Sequence, residues 1–305
     1  MASTYYKHAL LATLTGFSLV AALPSSAVAA GPIEDVCAGP IGELKNIQAQ
    51  IRVHNAKPRV STDRAYVNAH NAEARQLNAA QAQAISRVRQ CVSAFSQVMR
   101  NHPQSTFPNP NPSQIARLSD ATKKLTDTQR QAVTRWNPKT YDFLDYGPGK
   151  KAMTTRVDRI PPDFPPSIRS VIRPIYQALD KTRPAIPRTS VLQGKLPPRI
   201  GGPDPAYGNG RPVTGVAFDH IIPLRRLVTM RNFLKLTPED MWRVANSPAN
   251  SQWLSKTANS SKLSGSSAFI SGADPTWLRE QAQLRERAES EVQQLIEALL
   301  KTQKG

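Results

Sequence analysis

The residues best suited to chemistry lie within residues 215–264. Asp219 and His220 stand together at the end of a short apolar run, and an imidazole of ordinary pKa, about 6.5, can accept a proton at neutral pH. His220 is the only histidine after His102, so imidazole chemistry in the C-terminal two-thirds of the chain would use it. An Asp-His pair alone is more often just a hydrogen-bonded turn. Three polar residues follow at a distance: Asn250, Asn259 and Lys262.

The elements around these residues can be predicted from local patterns. Residues 213–218 form a candidate strand that ends at the Asp-His pair. The segment 237–240 has a threonine N-cap, proline at the first helical position and an acid three residues after the cap, so it predicts a helix ending near residues 246–248. Residues 250–254 are predicted as a short strand or loop. Residues 257–264 are predicted as a helix with Asn259 and Lys262 on one face.

A strand, a loop, a strand and a helix with these residues resemble an HNH (His-Me finger, ββα-metal) endonuclease domain. The pattern is FDHIIPL, then Asn250-x-Gln-x-Leu, then Asn259-x-x-Lys262, and it is most similar to the HNH nucleases of Rhs-type polymorphic bacterial toxins. The resemblance covers about residues 213–266. This chain lacks CxxC pairs. Its gap between His220 and Asn250 is longer than in compact members, which leaves Asn246 as a rival for the middle asparagine.

The resemblance implies a role for each residue of the pattern. His220 would be the general base that activates water, and Asn250 would brace the loop that holds it. Asp219 and Asn259 would be the metal ligands. Lys262 would contact phosphate or brace the helix.

The proposed metal follows from the ligand chemistry. A divalent cation stabilises both the charge on an attacked phosphodiester and the departing oxygen. One carboxylate and one amide form a sparse shell of oxygen ligands, which suits Mg²⁺ because that ion keeps several waters. Zinc prefers nitrogen and sulfur. The expected cofactor is therefore Mg²⁺, with Mn²⁺ as the second candidate.

The charge of the chain points to a polyanionic partner. Forty Lys and Arg residues against 22 Asp and Glu give a formal net charge of +18, which favours nucleic acid, an anionic membrane surface or an acidic polymer. A basic surface without a dedicated partner is the alternative. Arg225, Arg226 and Lys262 are the candidate contacts to substrate phosphate. The surrounding cations could extend this phosphate track: Arg199, Arg211, Arg231, Lys235, Arg243 and Lys256.

Residues 1–30 have the pattern of a secretory signal. Lys7 precedes an apolar run over residues 9–22, and Ala27-Val28-Ala29 supplies small residues for cleavage near residues 29–30. A periplasmic or secreted location is expected, with an uncleaved anchor as the alternative. After signal removal, no second stretch is long and apolar enough to predict a transmembrane segment.

The remaining sequence predicts a mainly helical protein. Helical spacing favours helices over about residues 41–56, 63–100 and 113–135. An antiparallel pair of the first two would bring Cys37 toward Cys91, and an even cysteine count in an exported chain favours one disulfide over two buried thiols. A further helix is expected over about 167–180, and a last one from Asp274-Pro275 to about residue 302.

These elements suggest a domain organisation. It comprises a signal peptide (1–30), a helical N-terminal domain with a hairpin (31–135), a proline-rich connecting region (136–212) and a nuclease domain of the ββα-metal type with a C-terminal helix (213–305). Residues 136–212 hold 14 of the 26 prolines, which disfavours a continuous sheet there. The expected fold class is mainly α with a small α+β part.

The sequence therefore predicts an exported, metal-dependent endonuclease that acts on DNA with low sequence specificity, with RNA as the alternative substrate. An antibacterial toxin with a cognate immunity protein and a secreted nutritional nuclease both fit. The alternative from another class is a non-enzymatic basic envelope protein that binds nucleic acid or another polyanion and carries a degenerate HNH finger.

Overall fold

A computed structural model describes residues 31–58, 62–105, 107–135, 166–208, 210–262, 265–267, 270 and 272–303. The described residues from 32 onward belong to one compact unit. The predicted signal sequence and residues 136–165 of the predicted connecting region lie outside the described residues. None of the helices in the described ranges is long and apolar enough to cross a membrane.

The first elements are α1 (Gly31–Val36), α2 (Ala38–Asn55) and α3 (Arg64–Asn101). The Asp63 carboxylate caps α3 by accepting hydrogen bonds from the amides of Ala65 and Tyr66, at 2.9 and 3.1 Å. A disulfide joins Cys37, just before α2, to Cys91 in the last third of α3, which holds the two helices antiparallel. The predicted disulfide is confirmed.

The next helices are α4 (Pro112–Thr122), α5 (Asp127–Arg135) and α6 (Pro166–Lys181). The single helix predicted over 113–135 is instead two helices. The reason is a reciprocal cap at the start of α5. The Gln129 amide donates to Thr126 Oγ1 at 3.2 Å, and Gln129 Oε1 accepts from the Thr126 amide at 2.9 Å.

The C-terminal part holds the only strand pair among the described residues. Its elements are β1 (Val216–His220), α7 (Leu224–Val228), α8 (Pro238–Ala245), β2 (Ser251–Ser255), α9 (Lys256–Lys262) and α10 (Pro275–Gln303), with 3₁₀ turns at Phe233–Lys235 and Pro248–Asn250. β1 and β2 pair antiparallel, with Val216 opposite Ser255. The fold is mainly helical with a small two-stranded sheet, as predicted.

One hydrophobic core connects the N-terminal helices to the C-terminal elements. It includes Phe95 of α3, Ile172 of α6, Trp242 of α8 and Leu295 of α10, each almost fully buried. The Trp242 indole donates to the carbonyl of Thr182 at 2.7 Å, which ties α8 to the end of α6. The division into separate domains at residues 135–136 and 212–213 stays a prediction.

Candidate active site

The β1–β2 pair sets the directions of Asp219 and His220. Asp219 lies opposite Gln252, and His220 lies opposite Ser251. Because successive side chains of a strand point to opposite faces, the carboxylate and the imidazole leave the end of β1 on different sides. Each side chain therefore meets its own set of neighbours, from α9 and α8 respectively.

On one face, Asn246, the residue that directly follows α8, holds the His220 imidazole. His220 Nε2 lies 3.0 Å from Asn246 Oδ1, and Asn246 Nδ2 donates to the carbonyl of Trp242 at 2.9 Å. The second bond fixes the amide so that its oxygen faces the imidazole. Nε2 must then carry the hydrogen of the neutral ring, which leaves Nδ1 as the nitrogen with a free lone pair.

Burial determines the charge of His220. The residue is only 3% exposed, and burial is the largest cause that lowers its pKa to about 3, helped by the positive charges of Arg183 and Lys262. The hydrogen bond with Asn246 acts in the opposite direction. The imidazole is therefore neutral at neutral pH, the form that can accept a proton.

On the other face, α9 holds the Asp219 carboxylate. Asp219 Oδ1 lies 2.6 Å from Lys262 Nζ, and Oδ2 accepts a hydrogen bond from Gln252 Nε2 at 3.0 Å. Lys262 Nζ also donates to the carbonyl of His220 at 3.1 Å. The last residue of α9 thus binds both residues at the end of β1.

A chain of hydrogen bonds connects Asp219 to α10. Gln252 Nε2 lies 3.2 Å from Ser267 Oγ, and Ser267 Oγ donates to Gln281 Oε1 at 2.7 Å. Sequence reasoning assigned no role to Gln252, Ser267 or Gln281. The strand register would have identified Gln252, since it places that residue directly opposite Asp219.

The two candidate middle asparagines have different contacts. Asn250 is fully buried, accepts from the Ile222 amide at 2.7 Å and donates to the carbonyl of Ala245 at 2.9 Å. It therefore braces the segment that follows His220, whereas Asn246 holds the imidazole itself. Both asparagines thus stabilise the segment around His220, Asn250 through the main chain and Asn246 through the imidazole.

The remaining predicted residues lie on α9 and α7. Asn259 is half-buried on α9, one turn before Lys262, and its side chain forms no hydrogen bond within the described part of the chain. Arg225 is buried on α7 beside Gly265. Arg226 forms an ion pair with Glu289 of α10 at 3.1 Å.

The predicted phosphate track is only partly exposed. Arg243 is buried and forms an ion pair with Glu239 at 2.5 Å, and Arg231 binds Glu297 at 3.0 Å. Five cations of the track are exposed to solvent: Arg199, Arg211, Arg231, Lys235 and Lys256. Arg183, which acts on His220, was not identified from the sequence, because no local pattern links residue 183 to residue 220.

The oxygen chemistry at Asp219 fits a hard cation. Its buried carboxylate already binds one positive centre, the ammonium of Lys262, and carboxylate oxygen is a preferred ligand of Mg²⁺. Within the described ranges, no group of three His, Cys, Asp or Glu side chains could hold a metal ion. A cation would therefore depend on Asp219, the Asn259 amide, water and substrate oxygens.

Comparison with known proteins gives no match to this chain among protein-family models, curated proteins or solved structures.

Proposed function

We propose that the chain is a metal-dependent endonuclease that hydrolyses phosphodiester bonds of DNA with low sequence specificity. The observation that carries the proposal is the contact of Lys262 with both the Asp219 carboxylate and the main-chain carbonyl of His220 at the end of β1. A base, an oxygen ligand and a phosphate-binding cation are the groups that phosphodiester hydrolysis needs. The resemblance to HNH endonucleases rests on the same residues.

His220 is assigned the general base. Its Nδ1 would accept the proton of the attacking water, while Nε2–H stays bound to Asn246 Oδ1, which stabilises the imidazolium that forms. A pKa of about 3 makes a weak base in the free chain. The negative charge of a bound phosphate would offset the charges of Arg183 and Lys262 and raise that pKa toward neutrality.

Asp219 and Asn259 are assigned to the metal, with Mg²⁺ as the preferred ion and Mn²⁺ as the second candidate. When bound, the cation would stabilise the charge on the attacked phosphate and on the departing oxygen. Asn250 keeps the loop after His220 in place through Ile222 and Ala245. Lys262, Arg225 and Arg226 remain the candidate residues for substrate phosphate.

The exposed cations of the track supply a means of holding DNA without reading its bases. Arg199, Arg211 and Lys256 lie on the surface, and contacts to phosphate carry no sequence information. RNA is the alternative substrate for the same reason.

We assign the protein to an exported context. The Cys37–Cys91 disulfide is typical of oxidising compartments, and the signal sequence predicted over residues 1–30 adds to this. The toxin-like motif fits an antibacterial effector that has an immunity protein as its partner, and the predicted signal fits a secreted nutritional nuclease.

The test is plasmid cleavage by the protein without its predicted signal. Nicking with Mg²⁺, lost with EDTA and in His220→Ala, is the expected result. His70→Ala is the matched control, since His70 is a half-buried histidine of α3 far along the chain from the site, and it should cleave normally. Plasmid and RNA that stay intact with every metal would reject the nuclease.

A second candidate is a non-enzymatic basic protein that binds nucleic acid or another polyanion. The observation that favours it is burial, since Asp219 and His220 are only 2% and 3% exposed. This candidate predicts salt-dependent binding of DNA that survives His220→Ala, with no cleavage by the unsubstituted protein.

A further inference from the structure

Lys262 is a buried lysine whose ammonium is held by oxygens of two consecutive residues. Its side chain is 5% exposed. The ammonium lies 2.6 Å from Asp219 Oδ1 and 3.1 Å from the carbonyl oxygen of His220. Removing an ammonium group from water is costly unless an anion compensates it. In this chain, Asp219 is the anion that does so.

The same oxygens are of the kind that bind a hard divalent cation, namely a carboxylate and a main-chain carbonyl. The other Asp219 oxygen is occupied by the Gln252 amide, which brings no charge. Lys262 therefore supplies the positive charge at this carboxylate. A divalent ion at Asp219 would lie close to the ammonium, where burial leaves their repulsion only weakly screened.

We propose that Lys262 is a built-in competitor of the divalent cation for Asp219, so that metal binding requires its ammonium to leave the carboxylate. Lys262 ends α9, and its flexible four-carbon stem allows the ammonium to move without moving the helix. The inference rests on the proposed function, because that function brings a metal to Asp219. It adds that the protein without nucleic acid binds the metal weakly, because Lys262 already occupies the carboxylate.

The test is Mn²⁺ binding measured by titration calorimetry without nucleic acid, so that cleavage plays no part. Lys262→Met removes the charge and keeps the length of the side chain. Its dissociation constant for Mn²⁺ should fall by roughly tenfold or more, because the competing charge is gone. Lys262→Arg keeps a cation at the carboxylate and should gain no affinity.

Lys123→Met is the matched control. Lys123 forms an ion pair with Asp120 at 2.5 Å, but the two side chains are 58% and 69% exposed. The substitution makes the same change of net charge and also leaves an aspartate without its lysine. Mn²⁺ affinity should remain that of the unsubstituted protein.

Thermal unfolding gives a second measurement. Lys262→Met leaves the buried Asp219 charge uncompensated, so the variant should unfold at a lower temperature, and Mn²⁺ should raise its midpoint more than that of the unsubstituted protein. If the variant is unfolded without metal, Mn²⁺ should restore folding, and failure to do so would overturn the inference. The double variant Asp219→Asn/Lys262→Met removes both charges and should bind no Mn²⁺ at this site.

The outcomes separate this inference from the proposed function. Equal Mn²⁺ affinity in Lys262→Met and the unsubstituted protein would overturn the competition, and Mg²⁺-dependent plasmid nicking would then still support the nuclease. Absence of Mn²⁺ binding from both proteins, together with intact plasmid, would overturn both.

Discussion

At the scale of single residues, His220 couples the site to stability through pH. In the unfolded chain its imidazole binds a proton below about pH 6.5, whereas the folded chain resists protonation until about pH 3 because the ring is buried. The folded pKa is therefore the lower one. The free energy of unfolding is unaffected by this group above pH 6.5 and falls as pH drops from about 6.5 to about 3.

We expect His220→Gln to remove this part of the pH dependence. Between about pH 6.5 and pH 4, the unsubstituted protein should lose on the order of a few kcal/mol more stability than the variant. Urea unfolding of both proteins across the range measures the difference, and carboxylates common to both cancel. Parallel stability curves would mean that the folded imidazole titrates normally.

A second prediction at the scale of residues concerns the two asparagines around His220. Asn250→Ala leaves the Ile222 amide and the Ala245 carbonyl without their partner, which should lower the free energy of unfolding by about 1–3 kcal/mol. Asn246→Ala should instead shift the NMR signals of the His220 ring, because it removes the acceptor of Nε2–H. A ring shift in Asn250→Ala and none in Asn246→Ala would reverse these roles.

At the scale of elements, local signals predicted the helix starts well. Thr237 caps α8 as expected, with its Oγ1 accepting from the Asp240 amide at 3.2 Å. The cap at Thr126 was missed, although Thr126-x-x-Gln129 has the capping-box pattern and Asp127 supplies an acid in the first turn of α5, and one helix was predicted instead of two. The contact of Lys262 with Asp219 could not be derived from spacing. It depends on how β1 pairs with a strand 30 residues later and on where α9 then docks.

The prediction at the scale of elements concerns the stability that the disulfide contributes. It closes a loop over a sequence separation of 54 residues, for which loop-closure entropy suggests about 4 kcal/mol of stabilisation. The double variant Cys37→Ala/Cys91→Ala should lower the free energy of unfolding by roughly that amount. Urea unfolding with and without a reductant checks it. The reductant should destabilise the unsubstituted protein and leave the variant unchanged.

At the scale of the whole molecule, the site depends on the N-terminal helices. The core that contains Trp242 of α8 and Leu295 of α10 also contains Phe95 of α3 and Ile172 of α6. Since α8 carries Trp242 four residues before Asn246, burial of Trp242 fixes the position of the amide that holds His220. The predicted nuclease domain therefore shares its hydrophobic core with residues outside it.

We expect the fragment of residues 213–305 to be unstable by itself. Without α3 and α6, the apolar faces of α8 and α10 would be exposed to water at a cost of about 25 cal/mol per Å². The fragment should lack a cooperative urea transition by circular dichroism and should cleave no plasmid under conditions in which the longer protein does. A matched fragment of residues 31–305 should unfold cooperatively. Cooperative unfolding of the short fragment would instead establish 213–305 as a domain that folds independently, with the N-terminal helices attached to it as a separate unit.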